Sequence, residues 1–462
     1  MSPKYIRPDA PIPNTYGTSQ TEMSASLAPW EDFFADQAMR RLIQLALENN
    51  RDLRVSLLNI EKNRAQYRIQ RTDILPTVNA SGEASTRHLP ASLSTDGAKG
   101  VSRQYTVELG FTSFELDLFG RIRSLTEQSL ENYYSVEEEA RSARLSLIAE
   151  SASLYLQLVA DRELYDVIAA TIENRRQNFE IIRSRFQEGT ASDLELSQAQ
   201  ALLDEARVSL AVADTTVARS AHSLTLLLGC AIPTDIPEVR KLADIPPLPD
   251  IPEGIPSALL ERRPDILAAE HVLKGANANI GAARANFFPA ISLTGTFGKI
   301  SADYANLWDN ASKSWSFIPQ LTLPIFDMGR NTARLKVAEA ERDIAVARYE
   351  KAIQNAFREV ADALVQRENI SAQLEAQQSL VSAGERGSLH ANARYEAGVS
   401  SYINVLDAER TLFSAQSSLI SARLLREVNV LALYKALGGG WEPSWVGAPI
   451  PATARKDDKP SF

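Results

Sequence analysis

Two hydrophobic rhythms divide the chain. Between Pro76 and Phe119, Tyr105, Val107, Leu109 and Phe111 are apolar while Thr106, Glu108, Gly110 and Thr112 are polar or small. A period of two predicts a strand with one apolar face. The rhythm returns at Ile291, Leu293 and Phe297, then at Trp315, Phe317, Leu321, Leu323 and Ile325. Elsewhere the period is helical. From Gly120 to about Glu188 there is no proline and the only break is the terminal Gly189, so one helix over that span is on the order of 100 Å long at a rise of about 1.5 Å per residue. The segment after it keeps a 3-4 spacing through Leu196, Ala199, Leu203, Ala206, Leu210, Ala213, Val217, Ser220, Leu224 and Leu227. Val405, Ala408, Leu412, Ala415, Leu419 and Ala422 repeat it before the pattern weakens at Arg426 and Asn429. Large and small residues alternating on a seam allow close coiled-coil packing, so the pattern predicts two antiparallel helical hairpins.

The rhythms recur because the chain is duplicated. "RDLRVSLLNIEKNRAQYRIQRTDILPTVNASG" (Arg51 to Gly82) matches "RPDILAAEHVLKGANANIGAARANFFPAISLTG" (Arg263 to Gly295), with Asp52 and Asp265 the same interval ahead of Pro76 and Pro289. "ELDLFGRIR" is echoed by "TLPIFDMGRNTAR", and "RFQEGTASDLELSQAQ" by "RYEAGVSSYINVLDAER". "LLLG" ending at Gly229 matches "KALG" ending at Gly438. Landmarks in one order at an offset of roughly 210 residues mark a tandem repeat. Each copy reads as helix, strand pair, very long helix and shorter helix. The expected divisions are an extended segment 1–35, a first repeat 36–230, a Pro-rich linker 231–253, a second repeat 254–440 and a tail 441–462.

Strands of about ten residues suit a membrane β-barrel, and the loops "LPASLSTDGAKGVS" and "SADYANLWDNAS" join them in pairs. Four strands cannot close a barrel, and open edges in lipid cost several kcal/mol for each unpaired backbone group. Closure therefore requires other chains.

Charge and composition narrow the reading. A formal charge of −9 over 462 residues, with no basic block, argues against nucleic acid as a partner. Cys230 is the only cysteine, which excludes an intrachain disulfide and a cysteine zinc cluster. No run approaches the roughly 18 apolar residues of a membrane helix, and "MSPKYIRPDAPIPNTYG" lacks a signal pattern. His88, His222, His271 and His390 are scattered without a second ligand at helical spacing, so no metal site is expected. No phosphate loop, dinucleotide fingerprint or nucleophile elbow occurs; "LGGGW" follows a helix and reads as a helix stop. Neither an enzyme nor a cofactor is expected.

In "SPKYIRP", "ELDLFGR", "LLERRPDILAAEHVLKGANANIGAARANFFPAISLTG", "LPIFDMGRN", "NVLDAERTLF" and "ALGGGW", spread over nearly the whole chain, the sequence resembles the TolC-type outer-membrane efflux channels. The likeness is to the lipoprotein branch serving resistance-nodulation-division (RND) pumps. The resemblance implies an α+β membrane protein, a homotrimer whose twelve strands form an outer-membrane β-barrel continuous with a periplasmic α-barrel of twelve helices. An equatorial belt would include "AIPTDIPEVRKLADIPPLPDIPEGIPS" and the segment after Gly440. The implied location is the outer membrane of a Gram-negative bacterium, and the implied partners are a periplasmic adaptor, an inner-membrane RND-type pump and outer-membrane lipid. The family's mature chain usually starts with a lipid-bearing cysteine shortly before the motif present here as Pro3, Tyr5 and Pro8; no such cysteine stands here, which fits a trimmed or recombinant mature form or a missing anchor.

The implied function is a passive exit duct for drugs or other small toxic compounds, gated at the helix tips. The turns Gly189, Thr190, Ala191 and Ser192, and Gly398, Val399, Ser400 and Ser401, would form those tips and meet the adaptor. Gly and Ser also suit a plain turn. Asp407 has two readings: an acid favoured in the first turns of a helix by the macrodipole, or, as the family pattern implies, one member of a carboxylate ring. Tyr395 matches a tyrosine that makes a closing contact, and Ile403 an apolar constriction. Asn404 stands where some members carry a second acid and Ser400 where some carry arginine. Asp193 and Glu195 are the acids near the first turn, and Glu195 joins the gate candidates, while Gln198 aligns with Asp407. A type I protein-secretion conduit and a copper or silver efflux channel share the fold and remain alternatives. A soluble coiled-coil scaffold explains the helices and leaves the apolar-faced strands without a purpose.

Overall fold

The computed structural model describes residues 2–12, 28–90, 100–249 and 263–440. The helices are α1 (Trp30–Phe33), α2 (Gln37–Asn49), α3 (Arg51–Thr72), α4 (Arg121–Gln187), α5 (Asp193–Leu228), α6 (Pro264–Ala285), α7 (Arg330–Glu396) and α8 (Tyr402–Ala436). The strands are β1 (Asn79–Leu89), β2 (Gly100–Leu116), β3 (Ala290–Ser301) and β4 (Lys313–Thr322). The order α3-β1-β2-α4-α5 is repeated as α6-β3-β4-α7-α8. Even the lengths repeat: α3 and α6 have 22 residues each, and α4 and α7 have 67 each. The middle of the N-terminal segment, most of the first strand loop, the end of the Pro-rich linker and the 441–462 tail lie outside the described residues. The chain forms two compact units, each drawing on both copies.

One unit comprises Met1–Asp9, Asn59–Glu137 and Leu267–Lys351 and contains the sheet. Its four strands run in the order β1-β2-β3-β4, every pair antiparallel. The register aligns the apolar rhythm. Leu109 pairs with Phe297 and Phe297 with Trp315; Phe111 pairs with Gly295 and Gly295 with Phe317. On the opposite face Thr296 Oγ1 lies 2.8 Å from Ser316 Oγ, and Ser292 pairs with Gln320, although Ile300 and Ile318 interrupt the polar character there. The apolar spacing slips between Phe111 and Phe114, where the register shifts. A bulge there, with Ser113 at φ 52° and its N–H donating to Thr294 Oγ1 at 3.1 Å, adds the residue that keeps both phenylalanines in phase. Close strand approach explains Gly110 and Gly298, because a Cβ on either would lie 2.2 Å from a carbonyl oxygen of the neighbouring strand. The outer edges of β1 and β4 have no partner within the sheet.

In the same unit the N-terminal residues strap onto α6. Glu270 is buried and accepts hydrogen bonds from Tyr5 Oη at 3.1 Å and Arg7 Nη2 at 2.5 Å, with Lys274 Nζ 3.2 Å away. Burial alone would raise this carboxyl, but the bonds from Arg7 and Lys274 hold it below the ordinary range. His271 Nδ1 lies 2.6 Å from Glu131 Oε2, so the partly buried histidine is engaged with a neighbouring helix.

The other unit comprises Ala10–Leu58, Glu138–Ile266 and Ala352–Phe462. Asp36 caps α2 by accepting from the Met39 N–H at 2.6 Å, and the helix buries Met39, Leu42, Ile43 and Ala46. Phe33 and Tyr434 stack with centroids 4.2 Å apart. The α5 seam is sealed at Ala199, Leu203, Ala206, Ala213 and Leu224, all buried. Where the α8 seam weakens, Arg426 is exposed but Asn429 is buried and donates to the Ala363 carbonyl at 3.1 Å and to Gln366 Oε1 at 3.0 Å. A buried amide in a helical seam fixes the register at some cost in stability. The "LGGG" stretch ends α8 as a helix stop: Gly439 N–H donates to the Tyr434 carbonyl at 2.9 Å and Gly438 N–H to the Lys435 carbonyl at 3.0 Å.

Candidate functional site: the helix tips

Both tips are built by the same backbone device. Thr190 N–H donates to the Arg185 carbonyl at 2.8 Å and Gly189 N–H to the Phe186 carbonyl at 3.0 Å. Val399 N–H and Gly398 N–H donate to the Arg394 and Tyr395 carbonyls, each at 2.9 Å. These are Schellman motifs, and they need φ of +74° at Gly189 and +70° at Gly398, a left-handed conformation that only glycine adopts without strain.

The entries to the return helices differ. Ser192 accepts from the Glu195 N–H at 3.2 Å while Glu195 Oε2 accepts from the Ser192 N–H at 2.8 Å, a complete capping box. Ser401 holds the same place before α8 and makes no side-chain cap bond. Asn404, where the first copy has Glu195, instead donates to Ser400 Oγ at 2.7 Å.

Behind the turns the two hairpins share one core. Ile182, Ala199, Leu202, Tyr402, Val405 and Leu406 are buried together, with Phe179, Ala191, Leu196, Ala391 and Tyr395 packed against them. Tyr402 is only 4% exposed, and its ring centroid lies 5.2 Å from that of Tyr395. The Arg185 guanidinium sits 5.3 Å above the Tyr395 ring, so the end of α4 is tied to the end of α7. Burial pushes the Tyr402 hydroxyl well above its usual range, with Glu409 adding to the effect.

Further along α8 is a polar node. Asn178 Nδ2 donates to Glu409 Oε1 at 2.7 Å. Buried Arg175 donates to the Leu202 carbonyl at 2.8 Å and lies over the Phe413 ring at 6.0 Å. Burial raises the Glu409 carboxyl, offset in part by the Arg175 charge and the Asn178 bond.

Helical geometry separates the gate candidates. Tyr402, Val405 and Leu406 face the core, whereas Ile403, Asn404 and Asp407 are exposed, with Ile403 and Asn404 four and three residues before Asp407 and so on its face. The structure thus brings Asp407, Ile403 and Asn404 together. It places Tyr395 in the core packing and Glu195 in the capping box. Thr190 Oγ1 donates to the Arg185 carbonyl at 3.0 Å, while Val399, its counterpart, is exposed. Ser400 accepts from Asn404, and Ala191 packs against the core. Sequence reasoning missed Tyr402, Ile182 and Arg175, and took Glu409 for a solvated neighbour of Asp407, whereas it is half-buried and bonded to Asn178. It also missed Leu194, which aligns with Ile403 and is likewise exposed, 66% against 54%. Among the described residues no cluster of three or more His, Cys, Asp or Glu could hold a metal ion, and no helix is long and apolar enough to cross a membrane.

A sheet with one continuous apolar face, carried on helices of 67 residues, defines the class: an α+β outer-membrane channel. The family model described as outer membrane efflux protein matches residues 42–230 and 255–439, and the chain belongs to that family. It is 45% identical over 448 residues to the probable efflux pump outer membrane protein TtgC of Pseudomonas putida, covering 96% of this chain and 92% of that one. Among solved structures, a membrane protein from Pseudomonas aeruginosa superposes with a TM-score of 0.89 at 41% identity, covering 98% of this chain and 99% of that one. The open state of the Neisseria gonorrhoeae MtrE outer membrane channel superposes with a TM-score of 0.85 at 37% identity, covering 95% and 98%. The protein is an outer-membrane efflux component of a Gram-negative bacterium.

Proposed function

We propose that three copies of the chain form the exit duct of a tripartite efflux system, receiving small toxic compounds from an RND-type pump through a periplasmic adaptor and releasing them outside the cell. The observation that carries the reading is the four-stranded sheet, which has an exposed apolar face and two unpaired edges. In lipid those edges must pair, and three copies supply about twelve strands. Relatives are named for toluene, solvent and antibiotic efflux, which supports apolar drugs and solvents as cargo. The work of such a duct is passage rather than catalysis.

The gate is the exposed face of α8 at its tip. Asp407 from three copies forms a ring whose mutual repulsion is relieved by cations, Ile403 adds an apolar constriction, and Asn404 lies between them. The adaptor meets the turns 189–192 and 398–401. Purified protein in planar bilayers tests the duct: stepwise conductance and a heat-sensitive trimer band on gels are expected. A monomer that forms no channels contradicts the proposal.

A further inference from the structure

The two free edges of the sheet end in matching apolar patches. The antiparallel order places the start of β1 and the end of β4 at the same end of the sheet. Just before β1, Leu75 is 68% exposed, with Ile74 and Val78 beside it in sequence and also exposed. Just after β4, Ile325 is 92%, Phe326 82% and Met328 87% exposed. The second patch is held firmly. Asp327 accepts from the Gly329 N–H at 3.0 Å and the Asn331 N–H at 2.9 Å, and Met328 adopts φ +54°, a conformation uncommon for a residue with a side chain. A turn fixed in this way presents three large apolar side chains that nothing in the same copy covers.

We infer that the two patches are halves of one contact between copies, in which the Leu323–Met328 turn of one chain seats against Ile74, Leu75 and Val78 of the next. The inference rests on the trimeric closure proposed above and adds what sets its register. On the apolar side of β1 stand Ala80, Gly82, Ala84 and Thr86, all small, so a slip of two residues against β4 leaves every side chain on its proper face. Edge pairing with such a strand specifies register weakly. The collar of Leu75, Val78, Ile325, Phe326 and Met328 removes the ambiguity, because only one register seats the turn on its receiver. Continuity with the closing edges favours a second copy over lipid as its occupant.

Cysteine pairing tests this. In a Cys230→Ser background, Leu75→Cys with Phe326→Cys, and separately Val78→Cys with Ile325→Cys, are oxidised in isolated outer membranes. A disulfide requires Cα atoms within about 7 Å, so cross-linking reports direct seating. Reducible covalent dimers and trimers are expected from at least one pair, and none from the single-cysteine chains. If the variants form the heat-sensitive trimer and neither pair cross-links, lipid covers the collar and the inference fails while closure stands. If the Cys230→Ser parent forms no trimer, closure itself fails and takes the inference with it. As a second reading, Ile325→Ser with Phe326→Ser lowers the temperature at which the trimer band dissociates; an unchanged temperature contradicts the register role.

Discussion

Ser192 and Ser401 occupy the same place in the two copies, each following an identical Schellman turn, yet the helices they open are held differently. The first is sealed by its own first turn: Glu195 reaches back to Ser192, and Asp193 is exposed. The second has no such bond and is held by Tyr402, which replaces Asp193 and buries itself between the hairpins. Duplication kept the backbone and divided the side-chain work. One tip is stabilised locally. The other depends on tertiary packing and leaves Ile403, Asn404 and Asp407 on a face free for another role.

The largest expected effect comes from removing that packing. Tyr402→Ala deletes a buried aromatic ring and should cost about 3–5 kcal/mol, less any local collapse. Thermal unfolding of the purified protein measures it, and a leaky channel, seen as raised sensitivity of cells to large antibiotics, should accompany it. Next come the caps. Ser192→Ala should cost about 1 kcal/mol, whereas Ser401→Ala, which removes no cap bond, should cost no more than a few tenths. Amide hydrogen exchange in the first turns of α5 and α8 separates the two, and equal effects would erase the distinction. Asn404→Glu should convert the second tip into the first by completing the capping box, gaining about 0.5–1 kcal/mol and slowing exchange at the start of α8.

The smallest effect is on pH dependence. Burial raises the folded Glu409 carboxyl above its ordinary 4.5, so between those two values the folded chain keeps a proton that the unfolded chain has lost. The contribution to stability is fully present below the ordinary value and is lost as pH rises through the folded one. Glu409→Gln should therefore flatten the dependence of melting temperature on pH above 4.5. An unchanged slope would remove Glu409 from the coupling between α4 and α8.

Periodicity made most of this fold legible. The duplicated landmarks, the two helical seams and the alternating strands each follow from where apolar residues fall, because burial and lipid exposure act on every position. The bulge went unread, because the alternation was followed only as far as Thr112, and its backbone cause, Ser113 at positive φ, is not written in residue types. Glu195 shows how a local signal is overlooked: Ser-x-x-Glu before an apolar run is a capping signature, and the capping box is where that acid is held. Tyr402 and Arg175 were illegible for another reason. Their partners Ile182 and Phe413 come from the other hairpin, and contacts between hairpins leave no period in either one. The resemblance supplied the proposed number of copies and the proposed gate role of Asp407; neither follows from spacing.

Single-channel conductance in planar bilayers, comparing Asp407→Ala with Gln198→Ala, probes the division between the tips most directly. Asp407 and Gln198 hold equivalent positions in the two copies. A gate on the second hairpin predicts that Asp407→Ala raises conductance and weakens block by divalent cations, while Gln198→Ala leaves both as in the parent channel. Unchanged conductance in Asp407→Ala, or an equal rise in both variants, would contradict it.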